Sequence, residues 1–223
     1  MLKTVIVLHF FLLLLQGIPA SGNDELPYIL EGIRKNYGHL PGLVIPYTRE
    51  VITRSMTMLG NQVKGDMATG EMYFSPPHFL RLEQETPKPE TIIANEETIW
   101  WYIPDKKCAY HYPSGEFGQE LRLLNDIFSG LTQVEENFQV AMLGLNSRGE
   151  HRIELRPNPP WQEVDSITLA VTSGHHIRVV DIHNLLGSIT RLSLGDLTVK
   201  NKFEEGFFRF VVPEGVHVVR KGE

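Results

Sequence analysis

Thr98-Ile99-Trp100-Trp101-Tyr102-Ile103, followed by the turn pair Pro104-Asp105, reads as a strand without a polar face. Its residues are all β-branched or aromatic and favour extended backbone. A sheet with one wet face alternates apolar and polar residues, whereas here both faces are apolar and each must be covered. Phe207-Phe208-Arg209-Phe210-Val211-Val212 nearly repeats the pattern. One face can pack on a helix while the other lines a cavity. A strand buried on both sides of a filled core would look the same, because periodicity does not register whether an interior is full or empty.

Outward from this stretch the period stays at two. Runs at 44–59, 62–74, 79–83, 91–94, 98–103 and 107–112 read as strands, punctuated by Pro76-Pro77, Pro87 to Pro89, Asn95-Glu96 and Pro104-Asp105. Such brief connections pair successive strands as antiparallel meanders. A second set follows at 138–143, 151–155, 166–172, 176–183, 189–194 and 207–212. Two helical patterns interrupt the strands. Leu26, Ile29, Leu30, Ile33 and Tyr37 recur at helical spacing after Asp24 and stop at Gly38. Phe117, Leu121, Leu124, Phe128 and Leu131 do so after Ser114-Gly115-Glu116, with Gly130 as terminator. The fold class expected is mainly β (α+β), a single curled antiparallel sheet forming an incomplete barrel. Its two helices are the natural cover for the open mouth.

The first residues read as an export signal. Met1-Leu2-Lys3 is a short basic start, 5–15 is apolar apart from His9, and Pro19-Ala20-Ser21-Gly22 offers small residues for cleavage. The apolar run is too short for a membrane span, which needs about 20 residues. The expected organisation is a signal peptide over 1–22, cleaved near residues 20–22, and one domain over 23–223, released into the periplasm. No Cys follows the small residues, so no lipid anchor is expected. The formal net charge of −6 becomes −7 without Lys3, which argues against nucleic-acid partners and anionic membrane surfaces. Cys108 is the only cysteine, so no internal disulfide can form and the residue reads as small and packed.

No constellation for chemistry assembles. His175, His176, Asp181 and His183 lie within ten residues, but His175 and His176 point to opposite faces of a strand. His175 and His183 would stand about 26 Å apart at ~3.3 Å per residue. Only Asp181 and His183 could meet, and two ligands do not make a metal site. Glu96-Glu97, Glu135-Glu136 and Glu204-Glu205 read as solvated charges. There is no Gly-x-Ser-x-Gly elbow, phosphate loop or dinucleotide fingerprint. Catalytic residues, metal ligands and cofactors are expected to be none, and a periplasmic hydrolase lacks a nucleophile and base.

Three blocks, in order, carry a resemblance. Gly70-Glu71-Met72-Tyr73-Phe74-Ser75-Pro76-Pro77-His78-Phe79-Leu80-Arg81-Leu82-Glu83, continued by Thr86-Pro87 and Ile92-Ile93-Ala94, is similar to the Gly-x-hydrophobic and Pro-x-x-Phe-Arg-Trp-like strands of the LolA family of periplasmic lipoprotein carriers. Thr98 to Pro104 resembles that family's Thr-Leu-Trp-x-Tyr-x-Pro. Phe208-Arg209-Phe210-Val211-Val212-Pro213-Glu214-Gly215-Val216-His217-Val218 resembles its terminal Phe-x-Phe-x-x-Pro-x-Gly-Val-x-Val. The resemblance implies about eleven antiparallel strands, a helical lid and an apolar cavity for acyl chains. It also implies acylated lipoproteins as cargo, an inner-membrane ABC exporter as donor, an outer-membrane acceptor, and a monomeric shuttle. Pro76 stands where family members carry an Arg thought to hold the lid shut, so no latch is carried over there; Asn95-Glu96 replaces the family's Asp-Gly turn.

Within such a barrel Met72, Leu80, Leu82, Ile92, Trp101, Phe208 and Phe210 are expected on the cavity wall, and Leu121, Leu124 and Phe128 on the lid. A register error of one residue would turn any of these strands over. Other readings of the same barrel are a sensor domain or a carrier of another exported lipid, such as a glycolipid. An outer-membrane acceptor would need the lipidated cysteine that is missing.

Overall fold

The computed structural model describes residues 25–59, 65–113 and 119–220. The export-signal reading, the Asp24 helix start and the Ser114 to Phe117 helix opening lie outside them. The strands are β1 (Leu43–Ile52), β2 (Asp66–Ser75), β3 (Phe79–Thr86), β4 (Glu90–Ala94), β5 (Thr98–Ile103), β6 (Cys108–Pro113), β7 (Phe138–Leu145), β8 (His151–Pro157), β9 (Val164–Val171), β10 (Ile177–Asn184), β11 (Ile189–Leu194), β12 (Thr198–Val199) and β13 (His217–Arg220). The helices are α1 (Glu25–Tyr37), α2 (Arg54–Leu59), α3 (Gln119–Phe128) and α4 (Val134–Asn137).

All the strands join one unclosed sheet, ordered β13-β6-β5-β4-β3-β2-β1-β11-β10-β9-β8-β7, with β12 paired to the start of β1. Every pairing is antiparallel except that of β13 with β6. The two meanders meet where β1 pairs with both β2 and β11. The alternating burial of β2, with Ala68, Met72 and Phe74 inward, is what a curled sheet with a covered concave face requires. Gly70 continues that inward series because β2 and β3 run so close there that a Cβ would strike the Glu83 carbonyl.

α1 and α3 occupy the concave side. α1 turns Ile29, Leu30, Ile33 and Tyr37 inward. It is tied to the second meander by a hydrogen bond from the Ile177 N–H to the Tyr37 hydroxyl at 3.0 Å and by Asn36 donating to the Gly174 carbonyl at 2.7 Å. α3 buries Leu121, Leu123, Leu124, Ile127 and Phe128 and ends at Gly130, whose φ of 80° suits a glycine. The ends of α1 and α3 touch through Gly38 and Gly130. One connected cluster of buried apolar residues unites these helices with the strands.

Two expected strands are corrected. The run over 44–59 is a strand only to Ile52; Arg54 onward is α2, where Thr53 presents its hydroxyl to the Met56 N–H. The run over 207–212 is not a strand. The chain must pass from β12, beside β1, to β13, beside β6, and so crosses β2 to β5 at roughly 5 Å per strand. A segment running across strands cannot join their ladder. It lies instead on the outer face as a strap: Phe207 packs on Tyr73, Phe208 on Phe79, and Phe210 on Trp100 and Tyr102. Arg81 fastens it, donating to the Phe207 carbonyl at 2.7 Å with its guanidinium 4.7 Å from the Phe207 ring centre. The outer face of β5 is thus covered by aromatic rings of the strap and not by a helix.

Candidate functional site

The concave side is filled unevenly. Beneath α1 buried apolar side chains pack together, but beneath α3 the first meander and the β10–β11 hairpin border a cavity of about 1270 Å³. That volume exceeds the usual range for small-molecule sites, roughly 300–1,000 Å³.

Register explains the wall. Met72 lies opposite Leu82, Leu82 opposite Ile92, and Ile92 opposite Trp101, so these side chains form one row across β2 to β5. Leu80, Ala94 and Ile99 form the adjacent row. All of them line the cavity, with Tyr47, Val164, Ile182 and Leu192 completing its apolar surface. Leu82, Ile92 and Trp101 are only half-buried although they sit mid-strand. Their free surface belongs to the void.

Of the residues expected on the wall, Met72, Leu80, Leu82, Ile92 and Trp101 are there. Phe208 and Phe210 are not: the strap holds them against the outer face, on the far side of the sheet from the cavity. Of the lid residues, Leu121 and Leu124 face the cavity. Phe128 is fully buried beyond it, its ring 5.9 Å from that of Phe74, where it anchors the end of α3.

Polar residues border the cavity at both ends. At one end Asn125 of α3 meets His78 of the β2–β3 turn at 3.4 Å. Burial raises the neighbouring Asp126 carboxyl above its usual range, against the opposing pull of Arg122 and His78. At the other end stand Arg49, Gln84, Glu90, Glu120, Gln162 and Glu163. Arg49 donates to the Gln84 amide oxygen at 3.2 Å, and the Trp101 indole N–H donates to Glu90 at 2.9 Å. Glu120 lines this end of the cavity and is exposed to solvent. Partial desolvation by the surrounding protein raises its carboxyl above the usual range, nearby Glu163 raises it further, and Arg49 opposes both. Tyr47, deeper in, is raised by burial, lowered by Arg49 and raised by Glu90.

This rim was missed in the sequence, yet a signal for it existed. Leu80, Leu82 and Gln84 share a face, as do Ile92 and Glu90, and Tyr47 and Arg49. The stripe on each strand simply turns polar toward one end.

Among the described residues no group of three metal-ligating side chains converges. Asp181 is engaged by Arg191, at 2.7 Å and 2.8 Å, and His183 meets the Thr168 hydroxyl at 3.4 Å. No helix among them is long and apolar enough to cross a membrane.

The family model described as "Outer membrane lipoprotein carrier protein LolA" matches residues 57–211. An outer-membrane lipoprotein carrier protein of Nitrosospira multiformis is 24% identical over 214 residues, covering 96% of this chain and 95% of that one. One from Hahella chejuensis is 23% identical over 170 residues, covering 76% and 79%. Among solved structures, an uncharacterized conserved protein from Thermus thermophilus aligns over 88% of this chain and 99% of its own, at 14% identity and a TM-score of 0.52, a likeness of fold.

Proposed function

Because the chain belongs to the LolA family of outer membrane lipoprotein carrier proteins, we propose that it is a periplasmic carrier which shelters the acyl chains of lipoproteins between the inner and outer membranes. The observation that carries this reading is the cavity of about 1270 Å³ beneath α3, whose middle is lined by the apolar rows of β2 to β5. Moving an acyl chain from water into such a wall is favourable by about 0.8 kcal/mol per methylene, so a few methylenes decide between held and lost. The lining is built of separate side chains from eight strands and α3, and Met72 adds a flexible one. It suits chains of varied length better than one rigid ligand.

The carrier works by binding alone, with no bond made or broken. Cargo is taken from an inner-membrane ABC exporter and given to an outer-membrane acceptor, with α3 moving aside at each exchange. The protein acts as a monomer.

Native mass spectrometry of the mature protein, co-expressed in the periplasm with a tagged lipoprotein, tests this. A one-to-one complex that disappears when the cargo lacks its acyl chains is expected. A complex indifferent to acylation, or none at all, would overturn the reading.

A further inference from the structure

The cavity has an apolar wall and an asymmetric charge at one rim. Three carboxylates stand there, Glu90 on β4, Glu120 at the start of α3 and Glu163 just before β9, against the single guanidinium of Arg49. That guanidinium is already committed: it donates to Gln84, and its field reaches Glu120 on the lid side and Tyr47 below. At the far end Arg122 has Asp126 one turn further along α3, within its field, and Glu96 also lines the space. An amphiphile whose chains lie along the Met72–Leu82–Ile92–Trp101 row presents its head to one of these ends. At the Glu90–Glu120–Glu163 end it meets a net negative field, set by carboxylates that line the opening and are open to solvent and to screening by salt.

We propose that this carboxylate rim selects the head group of the ligand, admitting acyl chains joined to uncharged or cationic groups and rejecting free fatty acids and other anionic amphiphiles. Resting on the carrier reading, the proposal adds a specificity to it. A lipoprotein presents its chains through glyceryl esters and an amide, none of them charged, so it passes the rim. Free fatty acids have the same chains and would compete for an indifferent cavity. Glu120 and Glu163 are the specificity-determining pair because both line the opening and the field of Glu163 reaches Glu120, one at the start of α3 and one in the bend before β9.

The test compares the mature protein's affinity for monopalmitoylglycerol and for palmitate at neutral pH and low salt, by displacement of an uncharged fluorescent acyl probe, in the wild type and in Glu120→Gln/Glu163→Gln. The wild type is expected to prefer the glyceride about tenfold, equivalent to 1.4 kcal/mol. The double variant should lose most of that preference, chiefly through tighter palmitate binding, and added salt should erode it in the wild type. Equal affinities in the wild type, or a preference unchanged in the variant, would overturn head-group selection while leaving the carrier reading intact. Failure of the wild type to bind either ligand or the probe would overturn both.

Discussion

Leu82 condenses the difference between a packed core and a hollow one. Its row partners Met72 and Ile92 fix its direction, and its half-exposure is exposure to the cavity. A polar group forced into a filled interior without a partner costs roughly 1–3 kcal/mol in proteins, whereas on a void wall it can face water. Leu82→Gln is therefore expected to keep its thermal midpoint within a few degrees of wild type while losing most acyl-probe binding. A steep fall in the midpoint would show the site to be solid core. Glu120 gives a pH-dependent counterpart. Its carboxyl is raised mainly by partial desolvation, with Glu163 adding to it, so the folded state resists its ionisation, weakly because the group is open to solvent. The penalty is complete above the folded pKa and absent below the unfolded value, about 4.3. Glu120→Gln is expected to be the more stable protein at neutral pH, with the gap closing as the pH falls through the carboxylate range. A gap that widens on acidification would contradict the assignment.

At the level of elements, the strap over 207–212 departs most from what its residues suggest. Phe207, Phe208 and Phe210 have strand-like spacing, and sequence alone assigns them to a strand with an inward face. What overrides this is the order of the sheet, since the chain must cross four strands to reach β6. By contrast α1, β4 and β5 were legible almost to the residue, because their patterns are local, while β3 runs three residues beyond the expected 79–83, to Thr86. The apolar wall was legible in the same way through Met72, Leu80, Leu82, Ile92 and Trp101. Its rim was not, since Glu120 and Glu163 are brought together only by the docking of α3. Phe207→Ala removes ring contacts with Tyr73, Phe203 and Phe208 and the cation stacked by Arg81. It is expected to lower unfolding free energy by about 1–3 kcal/mol, below the range for fully buried Phe→Ala, with acyl-probe affinity within about twofold of wild type. Chemical denaturation and probe titration of one preparation separate the two effects.

For the molecule as a whole, the sheet order means that its two meanders are held together along one strand. β1 is the hinge line, with β2 on one side and β11 on the other, and α1 with α3 bridges the concave side through Gly38 and Gly130. The half beneath α1 is packed with buried apolar side chains and anchors the fold; the half beneath α3 encloses the cavity. No pattern in the sequence announces that division, because a leucine lining a void and a leucine in a core have the same chemistry. The closing strand β13 adds a consequence in time. It is the one parallel neighbour in the sheet, and it reaches β6 from more than a hundred residues further along the chain. Until it docks, the outward backbone groups of Cys108 to His111 form an open edge able to recruit a stranger's strand. Non-local parallel pairing of this kind forms slowly. During folding the chain therefore passes through an interval in which the long β6 edge is bare, before the four-residue β13 replaces it with a shorter one.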